Sequence, residues 1–583
     1  MRQSLVNLGL FLGILLFLNV IGNFFFTHID LTEEKRFTLT EPTKKLLKSL
    51  DDPVFVRVLL EGEFPAGFKR LQNSTKEILD DFRSVSGYIE YEFEDPNSGP
   101  VDEINERRKV LSDQGIRPVN LRLKDTDGTS EKLIYPYALI TYKNKTYPIS
   151  LLEPEVPGIS PEVILNNSIS LLEYKFSNAI QKGARKSLLP LIVFTEGHGE
   201  LDALQTADFQ ATISPFYNMG RLNLDSVYTL KPEDVAVLIV AKPRFAFSER
   251  DKFLIDQYVM KGGKVMWLID RLNVNLDSLA GKKHYVPFDF PLQLDDLFFK
   301  YGVRIQPNLI LDLQCSRIPQ VIGQQANNPQ IELFPYYYHP VIVPRSNHPI
   351  VKSVEGINMF YPSTIDTVRT KTPVKKEILL TSSQYSRVQF VPVRLDFEIL
   401  RYDPIPEKFD KPFQPVALLL EGSFGSLYEN RVTESMLDGL KQINEQFLPE
   451  GKSTKMLVVS DGDVIKNLVD PSREAYQPLG FNPYEKYKFA NKDFLVNALE
   501  YLVDENGVIA ARGREVKLRL LNTVKADKEN LHLAVIFEKL LHCFDRYFSS
   551  SAFWIPVNTC ADIRESDAFK VIFLCQFQAA FVC

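Results

Sequence analysis

Cysteine is scarce in this chain, and its placement excludes several kinds of chemistry. Cys315 is the only cysteine in the first 542 residues, and the other four crowd the end of the sequence. The body of the chain therefore cannot close a disulfide within itself, and its sequence has no Cys-x-x-Cys pair or Cys/His metal spacing. The sequence predicts neither structural zinc nor redox catalysis, and no cofactor.

An excess of basic charge is also lacking. The chain has 68 lysines and arginines against 74 aspartates and glutamates, which gives a formal net charge of −6. Because nucleic-acid-binding domains carry basic patches, this balance counts against nucleic acid as a partner. With 45% hydrophobic and 24% charged residues over 583 positions, the composition is that of a globular protein with room for roughly three or four domains.

One long apolar run, from Leu5 to Phe26, contains no Asp, Glu, Lys or Arg. About 20 apolar residues are enough for a helix to cross a bilayer. No small-residue cleavage pattern follows the run, so we predict a transmembrane anchor over residues 5–27 rather than a removed signal peptide. This interpretation makes the lipid bilayer a partner of the chain.

The predicted anchor has an internal pattern. On a helix, four of its small and polar positions fall within an arc of about 120°, namely Gly9, Gly13, Asn19 and Asn23. Glycines four residues apart let two membrane helices approach closely, and asparagine can hydrogen-bond across such a contact. The pattern therefore predicts a packing face for a partner helix in the membrane, with chance scatter as the alternative.

After the anchor, residues 36–153 have the element order of a thioredoxin-like domain. Two strand–helix pairs are followed by strands, the last two joined as a hairpin. The predicted strands are 54–60, 88–93, 119–123, 137–142 and 145–149, and the predicted helices are 67–84 and 102–114. The catalytic cysteine pair of such domains is absent, so the order predicts a structural or binding copy.

Residues 186–505 are predicted to form a larger α/β domain with a parallel sheet. Continuous apolar runs are typical of strands buried on both faces, and they occur at 188–194, 235–241, 264–269, 416–421 and 455–460. One predicted helix, 161–182, leads into the domain, 249–261 lies within it and 493–503 ends it. A Pro- and Tyr-rich insertion, about 285–410, is predicted to be irregular or β-rich. Residues 506–530 follow as a connecting segment.

Two loops at the ends of predicted strands carry chemically active side chains. Glu196, His198 and Glu200 alternate with Gly197 and Gly199, just past a strand's carboxyl end, where ligands bind in open α/β sheets. A tight structural turn is the preferred interpretation, with contact to a small molecule or peptide, and then a metal, as alternatives.

The second loop, Ser460–Asp463, is acidic, but one acidic turn supplies few ligands for a cation. We predict a turn in which Asp463 caps a helix, with Asp461 beside it. Cys315 follows an apolar run but lacks the glycines of a nucleophile elbow, so a buried inert thiol is predicted. Gly451–Thr454 is not a phosphate loop, because Gln446 stands where the motif requires glycine.

Four segments together resemble one known family. Arg36–Thr43, Thr195–Glu200, Gly262–Val265 and Ser460–Asp463 are similar, in this order, to the GldG family. Its members are gliding-motility-associated auxiliary subunits of an ABC transport system, and the likeness runs from residue 1 to about 528. The resemblance implies a membrane permease subunit and a separate ATPase as partners, and a single-pass protein of the bacterial inner membrane with its bulk in the periplasm. It supplies no catalytic residues.

Residues 531–583 depart from the family, whose members end in a second transmembrane helix. The last apolar run here, Val571–Cys583, is too short to span a bilayer. We expect that a reading-frame change near residue 530 replaced the original end, with a divergent tail as the alternative.

The sequence thus predicts a non-enzymatic, membrane-anchored subunit that binds cargo or partner proteins. An anchored hydrolase or amidotransferase using Cys315 or the His198 loop is one alternative, and a purely structural scaffold is the other. The transported substrate and any homo-oligomeric state stay open.

Overall fold

A computed structural model describes residues 38–125, 128–143, 145–153, 160–185, 189–325, 328–470, 472–473 and 475–513. These residues all belong to the first of two compact units, Met1–Val516, the second being Lys517–Cys583. The predicted anchor at 5–27, with Gly9, Gly13, Asn19 and Asn23, lies outside the described residues, as do residues 514–530 and the tail 531–583. Among the helices that the structure describes, none has the length and apolar character needed to cross a membrane.

The first domain is built on a four-stranded sheet. Its strands, in the spatial order β2-β1-β5-β6, are β1 Val54–Val58, β2 Ile89–Phe93, β5 Tyr137–Tyr142 and β6 Lys145–Ser150. β2 runs parallel to β1, whereas β5 runs antiparallel to both β1 and β6. These directions agree with the predicted order of two strand–helix pairs followed by a hairpin. A separate hairpin joins β3 Val119–Asp125 to β4 Gly128–Ile134, and its second strand is not among the predicted strands.

Five helices accompany this sheet in the described residues: α1 Glu41–Lys48, α2 Ala66–Val85, α3 Val101–Asp113, α4 Pro161–Ser170 and α5 Leu172–Ala184. The single helix predicted over 161–182 is wrong, because the structure has two helices that meet at Leu171. The stretch before the break, Asn166–Ser170, is rich in Asn and Ser, whose side chains compete with the helix for backbone hydrogen bonds. Ser168 shows this competition, since its hydroxyl bonds the carbonyl of Ile164 and accepts from Glu153 N.

The second domain is built on a seven-stranded sheet. In the spatial order β17-β19-β20-β10-β9-β7-β8, the strands are β7 Leu191–Glu196, β8 Asn218–Asn223, β9 Val237–Ala241, β10 Val265–Leu268, β17 Val374–Thr381, β19 Pro415–Gly425 and β20 Glu450–Val459. The five strands from β20 to β8 run parallel, but β19 is antiparallel to both β20 and β17. The predicted parallel sheet is therefore a mixed sheet. A strand buried on both faces reads as an apolar run in either direction, so its sequence carries no sign of direction.

Helices cover both faces of this sheet, as alternating side chains require. Ile192 and Ile239 face one core, whereas Val193 and Leu238 face the other. The helices of the domain are α6 Ala207–Ile213, α7 Glu249–Met260, α8 Asp295–Tyr301, α9 Glu434–Gln442 and α10 Asn491–Val503. α6 and α10 contribute to the first core, and α7 and α8 to the second. The result is a three-layer α/β/α arrangement.

The predicted insertion is β-rich in the structure. Its strands before and after β17 are β11 Val303–Ile305, β12 Asn308–Asp312, β13 Cys315–Gln325, β14 Asn328–Ile342, β15 Ile357–Asn358, β16 Ile365–Thr367 and β18 Ser386–Phe390. β13 and β14 form a long antiparallel hairpin. Tyr336, Tyr337 and Tyr338 help fill a small core of their own. Farther along, four two-residue strands pair as β21 Val469–Asp470 with β22 Ala475–Tyr476, and β23 Phe481–Asn482 with β24 Tyr487–Lys488.

α5 contacts both domains. Near its start, Glu173 Oε1 accepts hydrogen bonds from the backbone N–H and the hydroxyl of Thr40, both at 2.7 Å. Near its end, Lys182 Nζ lies 2.6 Å from Glu500 Oε1 on α10, and both side chains are buried. The helix therefore links the amino-terminal end of the described chain to the second domain.

Ser248 is predicted to stabilise α7 through its side chain. Its hydroxyl accepts from Asp251 N at 3.2 Å and donates to Asp251 Oδ2 at 2.6 Å, in a capping box. We expect Ser248→Ala to lower the free energy of unfolding by about 1 kcal/mol, the usual cost of losing such a cap. Denaturant unfolding measures this, with the exposed Ser84→Ala as a control expected to change less than about 0.5 kcal/mol. Equal values for the two variants would contradict the prediction.

Candidate functional site

The candidate site lies at the end of the seven-stranded sheet where the parallel strands have their carboxyl termini. Because β7, β9, β10 and β20 are parallel, the residues that follow them meet at the same edge. The strand order also reverses here, since β8 lies on one side of β7 and β9 on the other. In open α/β sheets, ligands bind outside the carboxyl ends of strands at such a reversal.

The loop after β7 is a tight turn. Gly197 and Gly199 have φ angles of 111° and 75°, a region that strongly favours glycine. A Cβ atom at Gly199 would lie 2.9 Å from the ring of Phe245. The carbonyl of His198 accepts hydrogen bonds from the backbone N–H groups of Arg244 and Phe245, at 2.7 and 2.9 Å. The turn is therefore held against the loop that follows β9.

The three charged side chains of this turn do not converge on one point. Glu196 pairs with Arg221 on β8. His198 is 6% exposed and stacks on Phe247 with ring centroids 3.8 Å apart. The arrangement is that of the preferred structural turn and gives no common set of three ligands.

His198 lies between two carboxylates. Its Nε2 is 3.3 Å from Asp251 Oδ2, and its Nδ1 is 3.4 Å from Glu200 Oε1. Burial opposes charge on the imidazole, but Glu200 and Asp251 outweigh it and raise the pKa of His198. Burial likewise opposes charge on Glu200, but His198, whose backbone N–H donates to Glu200 Oε2 at 2.7 Å, lowers the pKa of Glu200 below the usual value. The group connects the β7 turn to the start of α7.

A second cluster lies at the ends of β9, β10 and β20. Carboxylate oxygens of Asp270, Asp461 and Asp463 all lie within 4.8 Å of one another. The ammonium of Lys242 is 2.9 Å from Asp270 Oδ2 and also contacts Asp463 Oδ2. Gly462 permits this approach, because a Cβ there would lie 2.6 Å from Lys242 Cβ. The chain thus places its own cation between two of the three carboxylates.

Each carboxyl group of this cluster has a different electrostatic environment. Burial, reinforced by the charges of Asp270 and Asp463, raises the pKa of Asp461 well above its usual value. Burial also raises the pKa of Asp270, against the attraction of Lys242. For Asp463, burial is outweighed by Lys242 and Lys466, which lower its pKa. As the pH falls, Asp461 is therefore expected to bind a proton before Asp463 does.

Asp463 is not the helix cap that was predicted, because Gly462 occupies the cap position. Asp461 Oδ1 accepts from the backbone N–H of Asp463 at 2.8 Å, and its Oδ2 accepts from Phe360 N at 2.8 Å. Asp463 instead begins a short 3-10 helix, Asp463–Ile465, and its side chain pairs with Lys242. Three carboxylates are a donor set that suits a hard cation such as Mg²⁺, but here the lysine ammonium compensates their charge.

Lys242, Asp270 and His339 are not among the predicted site residues. Lys242 and Asp270 follow predicted buried strands by one residue, so the rule that selected the other two loops applies to them as well. His339 on β14 is 4% exposed, and its Nε2 has no hydrogen-bond partner among the described residues. The rings of Tyr336, Phe360 and Tyr361 surround it at 4.8, 4.9 and 5.0 Å. No local sequence signal identifies a histidine in this environment.

Cys315 begins β13 and is poorly suited to nucleophilic attack. Burial and the nearby charge of Asp312 raise the pKa of its thiol to about 12. Because the thiolate is the reactive form, this environment disfavours reaction near neutral pH.

The fold and the site define a mixed α/β protein with a buried ion cluster at the carboxyl edge of its larger sheet. Residues 189–498, more than half of the chain, match the family described as an ABC-type uncharacterized transport system, and the chain belongs to this family. The predicted link to ABC transport is confirmed at that level. Residues 33–141 match a domain of unknown function (DUF7088).

The individual proteins to which this chain is similar are distant from it in sequence. An uncharacterized protein of Borreliella burgdorferi is 22% identical over 476 residues, which is 77% of this chain and 84% of that protein. Among solved structures, the mmIFT52 N-terminal domain has a TM-score of 0.29 at 10% identity, covering 54% of this chain and 97% of that one. An exo-beta-1,4-mannosidase from an Opitutaceae bacterium has a TM-score of 0.19 at 12% identity, covering 53% and 40%. These structural likenesses are too low to carry an argument.

Proposed function

We propose that this chain is a non-enzymatic auxiliary subunit of an ABC transporter of the GldG type. Residues 5–27 anchor it in the bacterial inner membrane, and its body in the periplasm binds cargo or partner proteins. A membrane permease subunit and a separate ATPase are its partners, and gliding motility or the secretion linked to it is the process served. The family match over residues 189–498, which spans the second domain, is the observation that carries this proposal.

The geometry of the candidate site supports a role without catalysis. A general acid or base has to reach the proton that it transfers in a bound substrate. Here Glu196 is paired with Arg221, His198 with Asp251, and Lys242 with Asp270. These pairs connect neighbouring loops of the fold, and the raised pKa of the Cys315 thiol disfavours the hydrolase alternative.

Purification of the full chain from its native membranes in a mild detergent tests the proposal. We expect a permease subunit and an ABC ATPase to be recovered with it and identified by mass spectrometry. Recovery of the chain without either partner would contradict the proposed function.

A pair of variants tests the membrane contact. Gly9→Leu with Gly13→Leu is expected to reduce recovery of the permease by about tenfold, because leucine prevents close approach of two helices, and a loss of about 1.4 kcal/mol has that effect. Phe11→Leu with Leu18→Ile, on the opposite side of the predicted helix, is the matched control. Equal recovery with both pairs would contradict the predicted packing face.

A further inference from the structure

The strand β6 is one of the two outer strands of the four-stranded sheet in the described part of the chain, the other being β2. Its carboxyl half lies beside a cleft of about 840 Å³ that both domains line. Pro148, Ile149 and Ser150 of β6 form part of one wall, and Phe216 and Val496 of the second domain lie among the other lining residues. A sheet edge next to such a cleft can accept an additional strand.

The register shows which backbone groups of β6 face away from the sheet. Leu151 N donates to Pro136 O at 2.8 Å, and Tyr137 lies opposite Ser150. Hydrogen-bonded and non-hydrogen-bonded pairs alternate along an antiparallel ladder. Residues 145, 147 and 149 therefore bond β5, whereas residues 146, 148 and 150 direct their backbone groups outward. On the other side of β5, Leu59 N donates to Tyr137 O. The backbone groups of Tyr137 therefore face β1, and those of Ser150, which lies opposite Tyr137, face away from the sheet.

The position of proline agrees with this register. Pro148 faces outward, where its missing N–H costs the sheet no hydrogen bond. The edge beside the cleft then offers the N–H of Ser150 and the carbonyls of Pro148 and Ser150. Within the described residues, none of these three groups has a backbone or side-chain partner. Donor and acceptor spacing of this kind complements another extended backbone.

The walls of the cleft favour a ligand without acidic groups, because both lysines that line it are paired within the chain. Lys175 Nζ lies 2.6 Å from Glu153 Oε1, and Lys182 Nζ lies 2.6 Å from Glu500 Oε1. Lys182 also lies 3.9 Å from the centre of the Phe216 ring. The cations of the cleft are thus already compensated, and the other lining groups include aromatic and aliphatic side chains, the amides of Asn120 and Asn178, and the Asp493 carboxylate.

We propose that an extended, uncharged peptide segment binds in this cleft as an additional strand along β6. Backbone hydrogen bonds to residues 148 and 150 hold the segment, and its alternate side chains contact α5 and the second domain. This inference rests on the proposed function. It adds the chemical class of the cargo or partner segment that the chain binds.

The test uses the detergent-solubilised full chain and a bead-bound library of acetylated hexapeptides of Val, Thr, Leu, Ser and Tyr. We expect a subset of beads to retain the chain. Ser150→Pro removes the outward N–H and should weaken binding of the selected peptides about tenfold, the effect of one or two hydrogen bonds. Ser150→Ala is the matched control, because it removes the hydroxyl but keeps the N–H, and its affinity should change less than about threefold.

N-methylation of the selected peptides tests the same contact without altering the protein. Methylation at one set of alternate positions should weaken binding about tenfold, and methylation at the intervening set should have little effect. Retention of no hexapeptide, or binding that is insensitive to both Ser150→Pro and N-methylation, would overturn the proposal. If peptides fail to bind while the permease and ATPase are still recovered, only this inference fails. Peptide binding without those partners would instead contradict the proposed function.

Discussion

Lys242→Met is expected to lower the free energy of unfolding by about 3–5 kcal/mol, because removing one partner of a buried ion pair leaves the other charge uncompensated. Lys242 is 9% exposed, and Asp270 and Asp463 are 7% and 9% exposed. Methionine keeps most of the side-chain volume, so the expected loss is electrostatic rather than steric. Urea unfolding of the wild type and the variant, followed by circular dichroism at pH 7, measures the difference.

Two further variants separate this cause from a general loss of lysine. Lys109→Met changes an exposed residue of α3 and should alter stability by less than about 0.5 kcal/mol. In the Lys242→Met background, Asp463→Asn removes one of the two carboxylate charges that Lys242 had compensated and should recover part of the loss. A Lys242→Met chain as stable as the Lys109→Met chain, or no recovery in the double variant, would show that the ion cluster does not stabilise the fold.

His339 is expected to make the protein unstable in acid. Burial lowers the pKa of His339 to about 3 from the ordinary value of 6.5, and the charge of Asp463 opposes this only in part. Below pH 6.5 the unfolded chain binds a proton at this residue, but the folded chain does not until about pH 3. The contribution is therefore fully present above pH 6.5 and is lost as the pH falls toward 3, by about 5 kcal/mol in total.

The free energy of unfolding at pH 7.5, 6, 5 and 4 tests this prediction. His339→Phe places an aromatic ring that does not titrate among Tyr336, Phe360 and Tyr361. It should reduce the pH dependence between 6 and 4 by about 1.4 kcal/mol per pH unit, the value for one proton. His284→Phe, at an exposed position, should leave the slope nearly unchanged. Identical slopes for wild type and His339→Phe would contradict the proposed cause.

Apolar runs predicted much of the second sheet, and the reason is physical. β9 and β10 are buried on both faces, so almost every residue in them is hydrophobic. β8 is an edge strand with the sequence Asn-Met-Gly-Arg-Leu-Asn, and no run identifies it. The direction of β19 was not predicted either, because it depends on the end of the sheet at which the chain enters the strand.

The candidate site was predicted in part. Asp461 and Asp463 were selected because they follow a buried strand, and the structure places them at the expected edge. The ion pair between Lys242 and Asp463 was not predictable, since Lys242 lies more than 200 residues earlier in the sequence. Only the spatial order of β9, β10 and β20 brings these side chains together, and strand order is a property of the whole chain.

The two ends of α5 have a mechanical consequence. Thr40, close to the start of the described chain, bonds Glu173 at one end of this helix, and Lys182 at the other end pairs with Glu500. Tension applied at the amino-terminal end therefore acts on α5 and, through its buried ion pair, on α10. With residues 5–27 anchored in the membrane as proposed, displacement at Thr40 would be transmitted through α5 to the second domain.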